Sequence, residues 1–332
     1  PYSNDMTIDP SMQLANNVVL REGMTAEKIK TDKPKKNWVP LLRNEEVVEY
    51  PCDQSTLTQR YTQEAVNFIE ENQKKPFFLY MPHTLPHIPL AASQEFKGSS
   101  LGGFYGDTIE EIDWSVGEIL STLKRLKIDN NTLVIFTTDN GPWNLKNGHG
   151  GSALPLRGYK FQTYEGGMRV PCIMRWPGKI PARKSNEMVS IHDFLPTFAA
   201  LMEDTLPADR PIDGRNQLPF FMGVSEKSAR EDYLAFIDGE IAAVRWRHWR
   251  LYPKQIIASS GNPSAHGVYA TRAEGTGYPA IFNIARDPRE EMNVVGTEAW
   301  VIGAYMKIVG EYQASIKAYP NPQGFSLTTF PR

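Results

Sequence analysis

His83 and His87 stand among prolines in the stretch MPHTLPHIPL, residues 81–90. Imidazoles take up and release protons near neutral pH, and the prolines stiffen the backbone and keep it out of a helix. The pair suits proton transfer, although a rigid surface loop also uses histidine to fill or cap itself. A second stretch, TTDNG at 137–141, sets Asp139 beside Asn140. One anionic and one neutral oxygen suit a hard cation such as Ca²⁺ or Mg²⁺, and Gly141 lets the backbone turn away from both. Asp-Asn-Gly is equally a common turn sequence. Two oxygens do not hold a divalent ion alone, so the metal reading requires partners elsewhere. The third stretch, GHGGSALPLRGYKFQTYEGGMRVP at 148–171, is dense in glycine near His149 and again at Gly166-Gly167. Such backbone can approach an anion closely, and Arg157 and Lys160 bring local positive charge. A glycine-rich surface loop with solvated cations has the same composition.

The spacing of apolar residues predicts the elements that position these stretches. Tyr61, Ala65, Phe68 and Ile69 recur at helical spacing, giving a helix over 56–73 with Ser55 or Thr56 as cap. PFFLYMPH reads as a buried strand from Phe77 to Met81. His83 and His87 then fall just past its carboxyl end, where ligands collect in α/β sheets. A second helix over 107–126 carries Ile109, Ile112, Val116, Ile119, Leu120 and Leu123 on one face. Leu133–Phe136 is an uncharged strand, predicted to be covered on both faces, that ends at TTDNG. Another core strand lies near Pro171–Trp176, and a helix begins near Asp193 with Phe194, Phe198 and Leu201 facing inward. This alternation predicts an α/β sheet sandwiched by helices. Residues 1–60 read as loop with at most brief strands, because Pro, Asn and Asp interrupt patches such as WVPLLR.

After residue 203 the texture changes to a polar, Pro-rich stretch and then YLAFI-DG-EIAAVRW. Asp238-Gly239 between apolar runs is a hairpin signal, since a type I′ turn needs positive φ at both positions. WRLYPK and YPAIFNIA supply further strands, 259–278 reads as a loop, and an amphipathic helix closes the chain over 298–319. The expected division is an α/β core at 1–220 and a C-terminal antiparallel subdomain with its helix at 221–332.

Composition narrows the function classes. Thirty-six Lys and Arg against 38 Asp and Glu leave a net charge of −2, so no bulk field draws nucleic acid or an anionic membrane. Anion recognition must therefore be local. No apolar run approaches the roughly 20 residues of a membrane-spanning helix. Two cysteines, Cys52 and Cys172, exclude a disulfide framework and a Cys-rich metal site while leaving a single bridge open.

PHTLPHIPL, TTDNGPW, the GHGGS…LRGYKFQTYEGGMRVP block and RWPGKIP, in this order across roughly 77–205, resemble the sulfatase (arylsulfatase) family of the alkaline phosphatase superfamily. The PYSNDM and LLRNEEVVEYP…LTQRYTQEAVNFI stretches and FNIARDPREEMNV extend the resemblance over essentially the whole chain. It implies an alkaline phosphatase-like fold, with a mixed, mostly parallel central sheet flanked by helices and a small C-terminal antiparallel sheet with a packed helix. It also implies a sulfuric ester hydrolase acting on an aryl or sugar sulfate. By this resemblance Asp139 and Asn140 match a pair of metal ligands, normally around Ca²⁺ (or Mg²⁺). His87 matches the histidine that contacts sulfate and helps protonate the leaving oxygen, and Lys160 matches the lysine on a sulfate oxygen. His83 and His149 are expected near the substrate, while Glu165 and Arg169 hold the loop together.

The family's nucleophile is a formylglycine made from C-x-P-S-R or a close variant, and neither PCDQS around Cys52 nor PCIMR around Cys172 fits. Nor does a paired Asp-Asp occur. The expectation is a chain without the N-terminal part that carries the formylglycine, inactive alone. The expected partner is a sulfated small molecule or glycan, with no nucleic acid and no membrane span. Secreted, periplasmic or lysosomal placement follows from the resemblance. A phosphodiesterase or phosphonate hydrolase of the same superfamily uses similar clamps, and a non-catalytic protein that binds sulfated glycans is the other alternative.

Overall fold

The computed structural model describes residues 7–237, 239–258, 271–274 and 279–320. They divide into two compact units, one of Pro1–Leu133 with Trp143–Gly151 and one of Val134–Pro142 with Ser152–Arg332. Both cysteines are free thiols, Cys52 buried and Cys172 exposed. Among the described residues no helix is long and apolar enough to cross a membrane.

In the first unit β1 (Gln13–Leu20) pairs in parallel with β3 (Glu46–Tyr50), and β2 (Leu41–Arg43) pairs antiparallel on the other side of β3. Between β1 and β2 lies α1 (Ala26–Thr31), whose first turn is capped by Thr25 accepting from the Lys28 amide. Val47 in the middle strand is fully buried with Ile8, Ile29 and Tyr50. This three-stranded sheet corrects the expectation of loop with brief strands. Of the eight residues of β1 only Ala15 is buried, so the strand carries little of the apolar alternation that marks a half-buried one.

The helix expected at 56–73 is α2 (Leu57–Asn72), and it packs on α3 (Gly103–Arg125). Their contact is partly polar: the Thr62 and Ser115 hydroxyls are hydrogen-bonded at 2.6 Å. The buried face of α3 carries Thr108, Glu111, Ile112, Ser115 and Leu123, whereas Ile109, expected inside, is exposed. Glu49, 4% exposed, joins β3 to its surroundings by accepting from Arg21 at 2.7 Å and Arg60 at 2.5 Å. The buried strand expected at Phe77–Met81 is an unladdered segment of alternating burial, with Phe78 and Tyr80 74% and 77% exposed. An apolar run of this length does not by itself reveal whether a neighbouring strand covers it.

The second unit begins with β4 (Val134–Thr137) and continues through α4 (Glu165–Met168), β5 (Cys172–Arg175), α5 (Phe194–Leu201) and α6 (Leu218–Phe221). β4 pairs antiparallel with β5, Thr137 opposite Cys172. Contrary to the expectation of strands covered on both faces, Phe136 is 37% and Ile173 62% exposed. In α5 the most buried residues are Pro196, Thr197 and Ala199, while Phe194 and Phe198 stack on each other at 5.7 Å, only half-buried. The class is α/β, and among the described residues β1 with β3 supplies the parallel ladder while the others are antiparallel.

The expected hairpin is present as β6 (Asp232–Ile237) and β7 (Glu240–Trp246), with Ile237 opposite Glu240. Gly239 takes φ +81°, as the turn requires, and Asp238 lies outside the described residues. β8 (Trp249–Tyr252) follows, then β9 (Gln255–Ala258) paired with β10 (Thr271–Glu274), then β11 (Ala280–Asn283) and α7 (Val301–Ala318). β10 falls inside the stretch expected to be loop, of which 259–270 and 275–278 lie outside the described residues. The four-stranded sheet runs β11-β8-β7-β6. One face buries Trp249, Leu251 and Ile281 against Val301 of α7, and the other packs Ala235, Ala243, Tyr252 and Phe282 against Tyr164 and Met168.

Candidate functional site

The expected site residues fall in both units. In the first, the histidine loop is tied back by the His87 amide donating to Thr84 O at 3.3 Å. His87 is half-buried and its Nδ1 lies 2.7 Å from the Ile88 carbonyl oxygen. A carbonyl only accepts, so Nδ1 carries the proton there. The ring is tilted against Trp143 at 6.3 Å, and Lys146 Nζ sits 4.5 Å over that indole. His149 is exposed and meets Phe104 edge-on at 6.4 Å. Gly150 beside it is required, since a Cβ there would lie 1.9 Å from the Trp143 carbonyl oxygen.

His83 is half-buried, and its Nδ1 is shut away from solvent without a hydrogen-bond partner. Burial lowers its pKa from the ordinary 6.5. The neutral ring therefore belongs to the folded state, while the unfolded chain takes up a proton as pH falls below 6.5. Stability is expected to drop as pH falls through 6.5 toward the folded-state value. In His83→Gln that part of the acid slope disappears. Urea melts of both proteins between pH 7.5 and 5 (about a His titration span) check this. Parallel slopes would exclude it.

In the second unit Asp139 and Asn140 follow β4 directly, Asp139 exposed and Asn140 half-buried. The Gly141 amide donates to Gly167 O at 3.1 Å, and a Cβ on Gly141 would lie 1.9 Å from the Gly166 carbonyl oxygen. The glycine density read in the sequence is thus the close passage of two backbones. One residue further, Pro142 O accepts from the Lys160 amide at 2.9 Å. The lysine loop and the Asp-Asn segment are therefore laced together along their main chains. Lys160 is half-buried, with Nζ 5.2 Å over the ring of Phe161. The loop closes on itself where the Gly166 amide donates to Arg157 O at 2.6 Å, and the Arg157 guanidinium covers Tyr164 at 4.1 Å.

Of the two residues expected to hold the loop together, Glu165 is buried in ion pairs and Arg169 is exposed. Glu165 is 1% exposed and accepts from Arg250 at 2.6 Å and Arg245 at 2.9 Å, and Arg169 reaches Asn186 at 3.4 Å. Arg245, Arg250, Tyr252 and Glu290, which form this buried cluster, were not legible as a group. Their one sequence signal is a charged residue inside the otherwise apolar strand WRLY.

Among the described residues no group of three or more His, Cys, Asp or Glu could hold a metal ion. Asp139 and Asn140 give one carboxylate and one amide, against the roughly six to eight oxygens Ca²⁺ takes. These two residues alone do not fit a complete site.

The family model described as Sulfatase matches residues 16–205. The chain is 38% identical to human steryl-sulfatase over 271 residues, covering 75% of this chain and 46% of that protein. It is 39% identical to dog N-acetylgalactosamine-6-sulfatase over 274 residues, covering 76% and 52%. Among solved structures, the PsFucS1 sulfatase from Pseudoalteromonas sp. matches with a TM-score of 0.77 at 27% identity, covering 89% of this chain and 58% of that one. The chain thus spans about half the length of the curated relatives it matches. With the matched model lying on the histidine loop, the Asp-Asn segment and the lysine loop alike, this chain belongs to the sulfatase family.

Proposed function

We propose that the protein is a sulfuric ester hydrolase that cleaves sulfate monoesters of an aryl or sugar substrate. The observation that carries this reading is the bond from the Lys160 amide to Pro142 O, which sets a lysine beside the Asp-Asn segment in a glycine-rich, closely approaching backbone. A sulfate ester gathers negative charge on its leaving oxygen as the S–O bond breaks. Lys160 binds a sulfate oxygen through its ammonium group, and His87 gives a proton from Nε2 to the departing alcohol. His149, exposed, and His83, through its Nε2, contact the substrate more peripherally.

Sulfatases are generally metal-dependent. Here Asp139 and Asn140 are proposed as two ligands of a Ca²⁺ or Mg²⁺ ion that needs further oxygens, and when bound such an ion supplies positive charge to the sulfate. The nucleophile is proposed to be a formylglycine outside this sequence, since neither Cys52 nor Cys172 stands in C-x-P-S-R. A sulfated substrate and the family together support a secreted, periplasmic or lysosomal setting.

The test compares turnover of an aryl sulfate monoester with that of a phosphate diester by the full-length protein. Preference for the sulfate by a factor of ten or so supports the reading. Preference for the diester favours the phosphodiesterase alternative. Binding of sulfated oligosaccharide without turnover would leave only the non-catalytic one.

A further inference from the structure

We infer that Arg250 and Tyr252 of β8 and Glu290, beyond β11, are positioning residues for Lys160, because the buried ionic cluster they form holds both stems of the loop that presents it. The inference rests on the proposed role of Lys160. On the leading stem, the Arg157 amide donates to Pro288 O at 3.3 Å and its guanidinium to Glu290 O at 2.9 Å. On the returning stem, Arg250 donates to the Thr163 carbonyl and, at 2.6 Å, to Glu165 Oε1. The Glu165 amide donates to Glu290 Oε1 at 3.0 Å. Tyr252 closes the cluster, accepting from Arg250 Nε at 3.1 Å and donating its hydroxyl to Glu290.

Arg250 is 1% exposed and Glu290 fully buried. Burial alone would favour apolar side chains at these positions, since a buried ion pair seldom stabilises a fold more than good packing does. What charged groups add is direction. The donors of Arg250 and the carboxylate of Glu290 end on the main chain of 163–165 or on groups that face it. That direction matters here because Gly158, Gly166 and Gly167 leave the loop with more conformational freedom than other residues would. Burial works against the Arg250 charge, but Tyr252, Glu165 and Glu290 outweigh it and raise its pKa. The guanidinium thus stays charged at any working pH. Glu290, by contrast, has its pKa raised by burial.

The functional arm measures kcat and KM for a sulfate monoester in the full-length protein, for Arg250→Met, Tyr252→Phe and Glu290→Gln, each alone and combined with Lys160→Ala. A misplaced lysine is expected to cost on the order of tenfold to a hundredfold in kcat per folded molecule in Arg250→Met. The same substitution is expected to cost nothing more once Lys160 is alanine. A merely structural role would lower the melting temperature and give equal losses with and without Lys160. Tyr252→Phe and Glu290→Gln decide the matter if Arg250→Met does not fold.

The second arm is hydrogen exchange on the 332-residue chain itself. Amides of 157–168 should lose protection by about tenfold or more in the variants while α2 keeps its own. Unchanged protection in that loop would overturn the inference. If wild-type protein turns over no sulfate ester, the functional reading fails and the exchange result alone decides the positioning role.

Discussion

Lys160→Ala and His87→Ala are each expected to lower kcat for a sulfate monoester by on the order of a hundredfold or more in protein that is otherwise active. The two losses should differ in kind. In the proposed reading Lys160 binds a sulfate oxygen, and every ester of the class carries that group, so its cost would be nearly independent of the alcohol. In the same reading His87 protonates the leaving oxygen, so its cost would depend on how much that oxygen needs a proton. A nitrophenolate leaves readily without help, whereas a sugar alkoxide does not. The His87→Ala loss is therefore expected to shrink with a nitrophenyl sulfate and grow with a sugar sulfate, while the Lys160→Ala loss stays level. With Nδ1 held on Ile88 O at 2.7 Å, the proton in the proposed role would leave from Nε2. Steady-state rates on both substrates, with melting temperatures matched, measure the contrast. A His87 loss that ignores the leaving group would remove the proton-donor role and leave His87 a binding residue at most.

How much of this was legible in advance varies with the kind of signal. α2 and α3 were readable because a long run of 3.6-residue periodicity survives even when the buried face includes Thr62, Ser115 and Glu111. The β6–β7 hairpin was readable from its turn alone. β1 was not, because Asn16 and Asn17 sit on a strand that buries little. Phe77–Met81 has the composition of a core strand, yet composition does not report on a neighbour. Glycine density near Lys160 correctly announced a close backbone approach, at Gly141 against Gly166. The cluster behind that loop was beyond reach. Arg250 and Glu165 are 85 positions apart and Tyr252 and Glu290 are 38 apart, and each reads singly as an ordinary polar residue.

The largest stability effect is expected at Asp193, where alanine should cost about 3–5 kcal/mol, the range for breaking a buried pair on one side. Asp193 is fully buried and Arg230 is 7% exposed, joined by bonds of 2.7 to 3.1 Å. The carboxylate also accepts from the amides of Ser190 and Arg215, at 2.9 and 2.8 Å, and from Gln217 Nε2 at 3.1 Å. These extra donors distinguish it from an isolated ion pair. Replacing both charges by apolar groups, Asp193→Leu with Arg230→Met, would leave two amides and a side-chain N–H buried without an acceptor. The double variant is therefore expected to recover little of the loss.

The acid dependence follows the same donors. Burial opposes the Asp193 charge, but Arg230 and the backbone donors outweigh it and hold its pKa below the ordinary 3.8. Its contribution is then fully present above the unfolded value and fades as pH falls through the folded one. Urea unfolding of wild type and Asp193→Asn at neutral pH and again below about pH 3 reads this directly, because the asparagine cannot titrate. The gap between the two proteins is expected to close on acidification. A gap under about 1 kcal/mol at neutral pH would mean that Asp193 organises the start of α5 without stabilising the fold, and one that persists in acid would mean that its stabilisation does not come from the charge.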